Sequence, residues 1–141
     1  MPIVNTAKKY FLEGSINFLT DTIKVMLLTN THTTNVDTQE FIDDVSANQV
    51  TGTGYTAGGA AIGGKTSGVD NTANTGNIDG NNVTWDASGG SLTARYAAIY
   101  KDTGTPGTSP IIGIIDFGSD KTAINNDFTI QWNAIGIIVG S

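Results

Sequence analysis

Cysteine is absent from this chain of 141 residues, and histidine and arginine occur once each, as His32 and Arg95. Without cysteine there are no disulfides, no thiol catalysis, no thiolate zinc site and no iron–sulfur cluster. One histidine is too few for multi-histidine metal sites and gives imidazole-assisted serine chemistry little to work with. Within Asn30-Thr31-His32-Thr33-Thr34 it reads as a loop residue. Charge is also scarce, at 14% of residues against about a quarter in an average protein. Seven basic side chains against thirteen acidic ones give a net charge of −6, which opposes any role built on neutralising phosphates, so no nucleic-acid partner is expected. The apolar runs, Val25 to Leu28 and Ile135 to Val139 among them, fall far short of the ~20 residues of a membrane span. The start, Met1-Pro2-Ile3-Val4-Asn5, has neither a basic leader nor a long apolar stretch. It leads to the expectation that the chain is made and folded in a cytoplasm without Sec-type export.

What is plentiful is glycine, with 18 residues, together with threonine and asparagine. The polarity therefore comes from hydroxyls and amides. The length suits one domain, which buries roughly 68–70% of its unfolded surface and needs no staples.

Asn5 to Glu13 reads as a short helix ending at Gly14, with Asn5 as its N-cap. Ile23 to Leu28 is apolar on both pleat faces, the mark of a central strand. Asp37-Thr38-Gln39-Glu40 has the form of a capping arrangement ahead of Phe41, Ile42 and Val45, which predicts a second short helix. Gly52 to Gly80 reads as strands joined by long loops, with Asp79-Gly80 as either a hairpin turn or the end of a strand. Asn82 to Asp86, Leu92 to Tyr100, Ile111 to Phe117 and Asp127 to Ala134 read as four strands. In the last of these, alternation puts Phe128, Ile130 and Trp132 on one buried face. Asp102 to Pro110 has turn chemistry throughout and forms an exposed hairpin loop. This pattern predicts a mainly β fold, an antiparallel β-sandwich of which a jelly roll is one form, with one or two short helices. The domain spans 1–141, with a short helical arm over about residues 1–14.

Gly59 to Thr66, Gly-Ala-Ala-Ile-Gly-Gly-Lys-Thr, matches the phosphate-binding P-loop at every specified position, and Ile111 to Asp116 imitates the magnesium-holding strand. A working P-loop must run from a buried strand into a helix. Here Ser67-Gly68-Val69-Asp70 follows, and small polar residues and glycine oppose a helix, so Lys65 reads as a surface charge and no cofactor is expected.

Several groups remain as candidates. Asp86, Asp102, Asp116, Asp120 and Asp127 could serve carboxylate-pair hydrolysis only if the fold brought two of them together. Asp70-Asn71 and Asp79 to Asn82 offer oxygen ligands without the spacing of a calcium loop. Adjacent Asp43 and Asp44 read as solvent-facing helix charge. Trp85, Trp132, Tyr96 and Tyr100 are either core residues or a sugar-stacking platform. Arg95 needs a partner if it is not simply exposed, and a bidentate ion pair with an aspartate of a neighbouring strand or subunit would supply one.

Five blocks occur in order: Thr22-Ile-Lys-Val-Met-Leu-Leu-Thr29, Gly52-Thr-Gly-Tyr-Thr-Ala-Gly-Gly59, Val83-Thr-Trp85, Ala94-Arg-Tyr-Ala-Ala-Ile-Tyr-Lys-Asp-Thr103 and Ile114-Ile-Asp-Phe-Gly118. In these the chain, from about Tyr10 to Trp132, resembles a group of small tailed-bacteriophage virion proteins of the head decoration or cement type. The resemblance implies a non-enzymatic structural protein on the capsid exterior. Its partners would be the major capsid protein and further copies of itself, as a homodimer or homotrimer. Tail, neck or fibre positions, or a carbohydrate-binding module, are the alternatives. Tyr10, Phe11, Arg95, Tyr96 and Tyr100 are the expected contacts with the shell or with other copies.

Overall fold

The computed structural model describes residues 1–141. It is mainly β, with antiparallel sheets and one α-helix. The helix, α1, covers Asn5–Leu12, and the nine strands are β1 (Ile23–Leu28), β2 (Ala60–Ala61), β3 (Thr66–Asp70), β4 (Thr75–Asp79), β5 (Val83–Asp86), β6 (Ser91–Lys101), β7 (Ile111–Ile124), β8 (Asp127–Ile130) and β9 (Ile138–Gly140). They form a four-stranded sheet in the order β2-β1-β6-β7, a three-stranded sheet β3-β4-β9 and the pair β5-β8.

The sheets follow from residue type. In β1 the run Val25-Met26-Leu27-Leu28 is buried on both faces, as a central strand flanked by β2 and β6 requires. β5 pairs with β8 from Val83 opposite Ile130 to Asp86 opposite Asp127, and β6 pairs with β7 from Ser91 opposite Ile124 to Tyr100 opposite Ile111. The two ladders continue one another as a long ribbon, broken where Ala87 to Gly90 face Asn125 and Asn126. There Asn125 takes φ 51°, and its amide N–H donates to the Gly90 carbonyl. A second break lies at Arg95: Ala94 pairs with Lys121 and Tyr96 with Asp116, so Phe117 to Asp120 bulge out opposite one residue. A single core of 28 residues draws on β1, β5, β6, β7 and β8.

Several local expectations are corrected. Val4, not Asn5, is the N-cap of α1; Asn5 is the first helical residue, and its side-chain amide donates to Asp37 Oδ1 at 2.7 Å. That contact takes Asp37 away from the capping role. The predicted second helix is two single 3₁₀ turns, Ile42–Asp44 and Ser46–Asn48. Asp44 accepts from the Glu40 and Phe41 amides and so caps the start of the first turn, while Ile42 and Val45 are buried as their apolarity requires. The β3–β4 hairpin turns at Asn71 to Asn74, with Asn74 at φ 56°, and Asp79-Gly80 is the strand end. β7 runs seven residues beyond Phe117, to Ile124. β8 stops at Ile130, four residues short of Ala134, which leaves Trp132 half-buried. No helix is long and apolar enough to cross a membrane.

Residues 1–14 lie on the chain's own sheet. Ile3 bridges Gly113, Val4 N–H donates to the Ile112 carbonyl and Ile114 N–H to the Pro2 carbonyl, extending the sheet past β7.

Candidate functional site

Arg95 stands at the bulge and finds its partner on the neighbouring strand. Its Nε donates to Asp116 Oδ1 at 2.7 Å and its terminal nitrogen to Oδ2 at 3.2 Å, the bidentate geometry that suits a guanidinium and a carboxylate. Asp116 Oδ1 also accepts the Gly118 amide at 2.8 Å, with Gly118 at φ 87°. The Arg95 hydrogen bond, followed by that of Gly118, holds the Asp116 carboxyl below its ordinary value. The Arg95 guanidinium lies 5.3 Å from the Tyr96 ring centroid, and His32 meets that ring edge-on at 5.0 Å.

His32 is a loop residue, but it is buried. It is 3% exposed, Nε2 lies 3.1 Å from the Thr34 hydroxyl, and Nδ1 has no partner. Burial pushes its pKa below 6.5. No sequence signal distinguished this histidine from a solvated one, because the ring of Tyr96 that covers it is 64 positions away in the chain.

The other expected contacts sit differently. Tyr10 and Phe11 are half-buried on α1, and the Tyr10 hydroxyl donates to Glu40 Oε1 at 2.5 Å. Tyr100 is only 3% exposed, and its hydroxyl donates to the Gly58 carbonyl at 2.7 Å. Burial pushes its phenol up to about 12. Of the five, Arg95 and Tyr96 are brought together; Tyr10 and Phe11 lie on the helix, and Tyr100 is in the core.

Of the five candidate aspartates, only Asp86 and Asp127 are brought opposite one another, both at exposed strand ends, and the other three are held elsewhere. Asp102 pairs with Lys24 at 2.6 Å, Asp116 with Arg95, and Asp120 accepts from Asn30 at 3.0 Å. Asp86 and Asp127 face each other across the β5–β8 ladder. No three His, Asp or Glu side chains come together as a metal-holding group. Asp70 caps its own turn through the Thr72 and Ala73 amides, and Asp79 caps through Gly80. Asn81 packs on Gly64, while Asn82 accepts the Trp132 amide. The aromatic groups form no open platform either: Trp85 is buried between Tyr55 and Phe128, and Trp132 Nε1 donates to the Asn81 carbonyl.

The P-loop spelling belongs to sheet packing. A strand follows it, and Lys65 Nζ donates to the Asp21 carbonyl. Gly59, at φ 80°, approaches the backbone of β1 so closely that a Cβ would lie 1.7 Å from the Val25 oxygen.

An open cleft of about 900 Å³ lies along β7, β8 and the C-terminal segment. Ile115, Phe117, Phe128 and Ile130 line it from the strands, Ile135 and Val139 from beyond them, and Lys121 is among its few charges. The run Ile135 to Val139 was visible in sequence only as too short for a membrane; its rarity of charge was the signal that it borders an apolar surface. No family model matches the chain, and neither a curated protein nor a solved structure matches it.

Proposed function

We propose that this chain is a structural virion protein of a tailed bacteriophage, a decoration or cement protein that binds the outside of the head and fastens neighbouring major capsid subunits. The observation that carries this reading is where the five resembling blocks lie. Three of them supply β1, β6 and the middle of β7, which are hydrogen-bonded neighbours. The glycine-rich block packs onto them: Leu27 N–H donates to the Tyr55 hydroxyl, Tyr100 reaches the Gly58 carbonyl, and Gly59 abuts Val25. The Val83-Thr84-Trp85 block joins through the contact of Trp85 with Tyr55. Segments scattered from Thr22 to Gly118 thus form one packed unit, as a shared fold demands and a coincidence of spelling does not.

The physical profile is consistent with that role. An acidic surface carries no penalty on the exterior of a shell, away from packaged DNA. A fastener repeated over a lattice needs only modest affinity per contact, because linked contacts raise the effective concentration for the rest. We read the chain as self-associating, as a dimer or trimer. We read its sheets as two packed layers around the common core, a sandwich arrangement of which the shared 28 residues are the support.

Electron microscopy of particles made with and without the protein tests the reading. Surface density over the head that disappears on deletion, together with easier capsid rupture, is the expected result. Intact heads lacking tails or fibres would overturn it in favour of another virion position.

A further inference from the structure

The chain has an apolar cleft bordered by free strand edges, and it also has an exposed strand with nothing along its outer edge. β7 and β8 end their sheets, and the β7 edge is covered only near its start, where Ile111 N–H donates to the Glu40 carbonyl and Ile3 bridges Gly113. Beyond that bridge the edge passes Lys121 and Ile124, and Ile124 is 73% exposed beside the cleft, as Ile135 is at 62%. Among the seven basic side chains, six are engaged: Lys8 with Asn5, Lys9 with Glu13, Lys24 with Asp102, Lys65 with the Asp21 carbonyl, Arg95 with Asp116 and Lys101 with Asp21. Lys121 alone has no partner.

β3 is the complement. It ends its own sheet, all five of its residues are exposed, and it carries an aliphatic side chain next to an acid: Val69, 76% exposed, followed by Asp70. Neither proline nor a bulge protects it, so it is a ready template for another strand edge. The Asp70 turn bonds use Oδ1 and leave Oδ2 free.

We infer that the cleft is the contact between copies of this chain, with β3 of a second copy laid along the β7–β8 edge, Asp70 at Lys121 and, on the other face of that strand, Val69 toward the exposed Ile124. Strand addition supplies backbone hydrogen bonds, the cleft supplies apolar burial, and the single unpaired cation selects an acidic partner strand. A reciprocal exchange makes a dimer; the same contact repeated head to tail closes a ring. The inference rests on the reading of the chain as a self-associating fastener.

The test is light scattering during size exclusion of the full chain as wild type, Lys121→Glu, Asp70→Lys and the double exchange, with Ile124→Asp as a variant independent of the turn that Asp70 caps. All substituted positions are exposed, so unchanged melting shows that each variant is folded. The expected result is an oligomeric wild type, association weakened at least about tenfold in each single variant (a factor set by roughly 1.4 kcal/mol), and recovery in the double exchange. A monomeric wild type, single variants that associate as the wild type does, or a double exchange no better than the singles would overturn it. So would a native mass spectrum in which a monomer carries a lipid-sized adduct that Ile124→Asp removes. A monomer that still decorates heads overturns only this contact; an oligomer governed by the charge exchange that binds no particle overturns only the capsid reading.

Discussion

Asp116 accepts from Arg95 and from the Gly118 amide at once, so one carboxylate ties β6 to β7 and also closes the bulge of its own strand. Both side chains are partly exposed, which limits what the pair contributes. Arg95→Ala is expected to lower the melting temperature by a few degrees, with the loss shrinking at about 1 M salt, where screening acts within ~3 Å. Because the Asp116 carboxyl sits below its ordinary value of 3.8 in the fold, its contribution is present above that value and disappears as pH falls through the depressed one. Wild type and variant should therefore converge on acidification. A melting difference that persists at low pH or high salt would show that the guanidinium acts through packing instead.

His32 also makes the fold less stable on acidification, through burial of a neutral ring instead of an ion pair. The folded protein holds it neutral, with a pKa below 6.5, whereas the unfolded chain takes up a proton at that value. Stability should fall as pH drops from 6.5 through the lowered value, and it should fall less in His32→Phe, whose ring can keep the edge contact with Tyr96. Paired thermal unfolding curves across that window, with an NMR titration of the imidazole, measure both. A histidine titrating at 6.5 in the native protein would contradict the burial.

Two glycines with the same backbone conformation should respond very differently to alanine. Gly59 and Gly14 lie at φ 80° and 79°, but a Cβ on Gly59 meets the Val25 oxygen while one on Gly14 has nothing within 4 Å. Gly14→Ala should cost only the left-handed strain, about 1 kcal/mol. Gly59→Ala should cost about 3 kcal/mol or more, because β1 must move. Denaturant titration separates the two, and magnesium-ATP should leave the wild-type melting temperature unchanged. Equal costs would mean that the approach to β1 is looser than described.

Tyr100→Phe removes the hydrogen bond to the Gly58 carbonyl and should cost about 1 kcal/mol at neutral pH. The wild-type phenol ionises near 12 when folded and near 10 when unfolded, so above 10 the unfolded state is favoured and stability declines. The variant loses the Tyr100 share of that decline and keeps the share of Tyr55, whose phenol burial also raises, so its loss of stability between the two pH values should be smaller than that of the wild type. Denaturation curves at about pH 8 and pH 11 report the difference, and a parallel decline in both proteins would assign the effect to other groups.

The sequence by itself determined the strands that build the core, while it gave β2 to β4 no bounds and β9 no signal. Apolar runs and alternation place β1, β5, β6, β7 and β8, because side-chain period and burial are local properties of the chain. It also exposed the P-loop match as a spelling, since helix propensity after Lys65 is equally local. Element ends were less legible: β7 outruns its apolar stretch because β6 supplies a ladder as far as Ile124, and Asp37 leaves its capping pattern because Asn5 is there to bind it. Only tertiary structure decided that Arg95 meets Asp116, that His32 is covered by Tyr96, that Asp86 and Asp127 alone among the candidate aspartates face each other, and that Lys121 alone is left unpaired beside an apolar cleft. Each of these depends on the register between strands far apart in the chain, and a shift of one residue in that register would turn every such side chain to the other face.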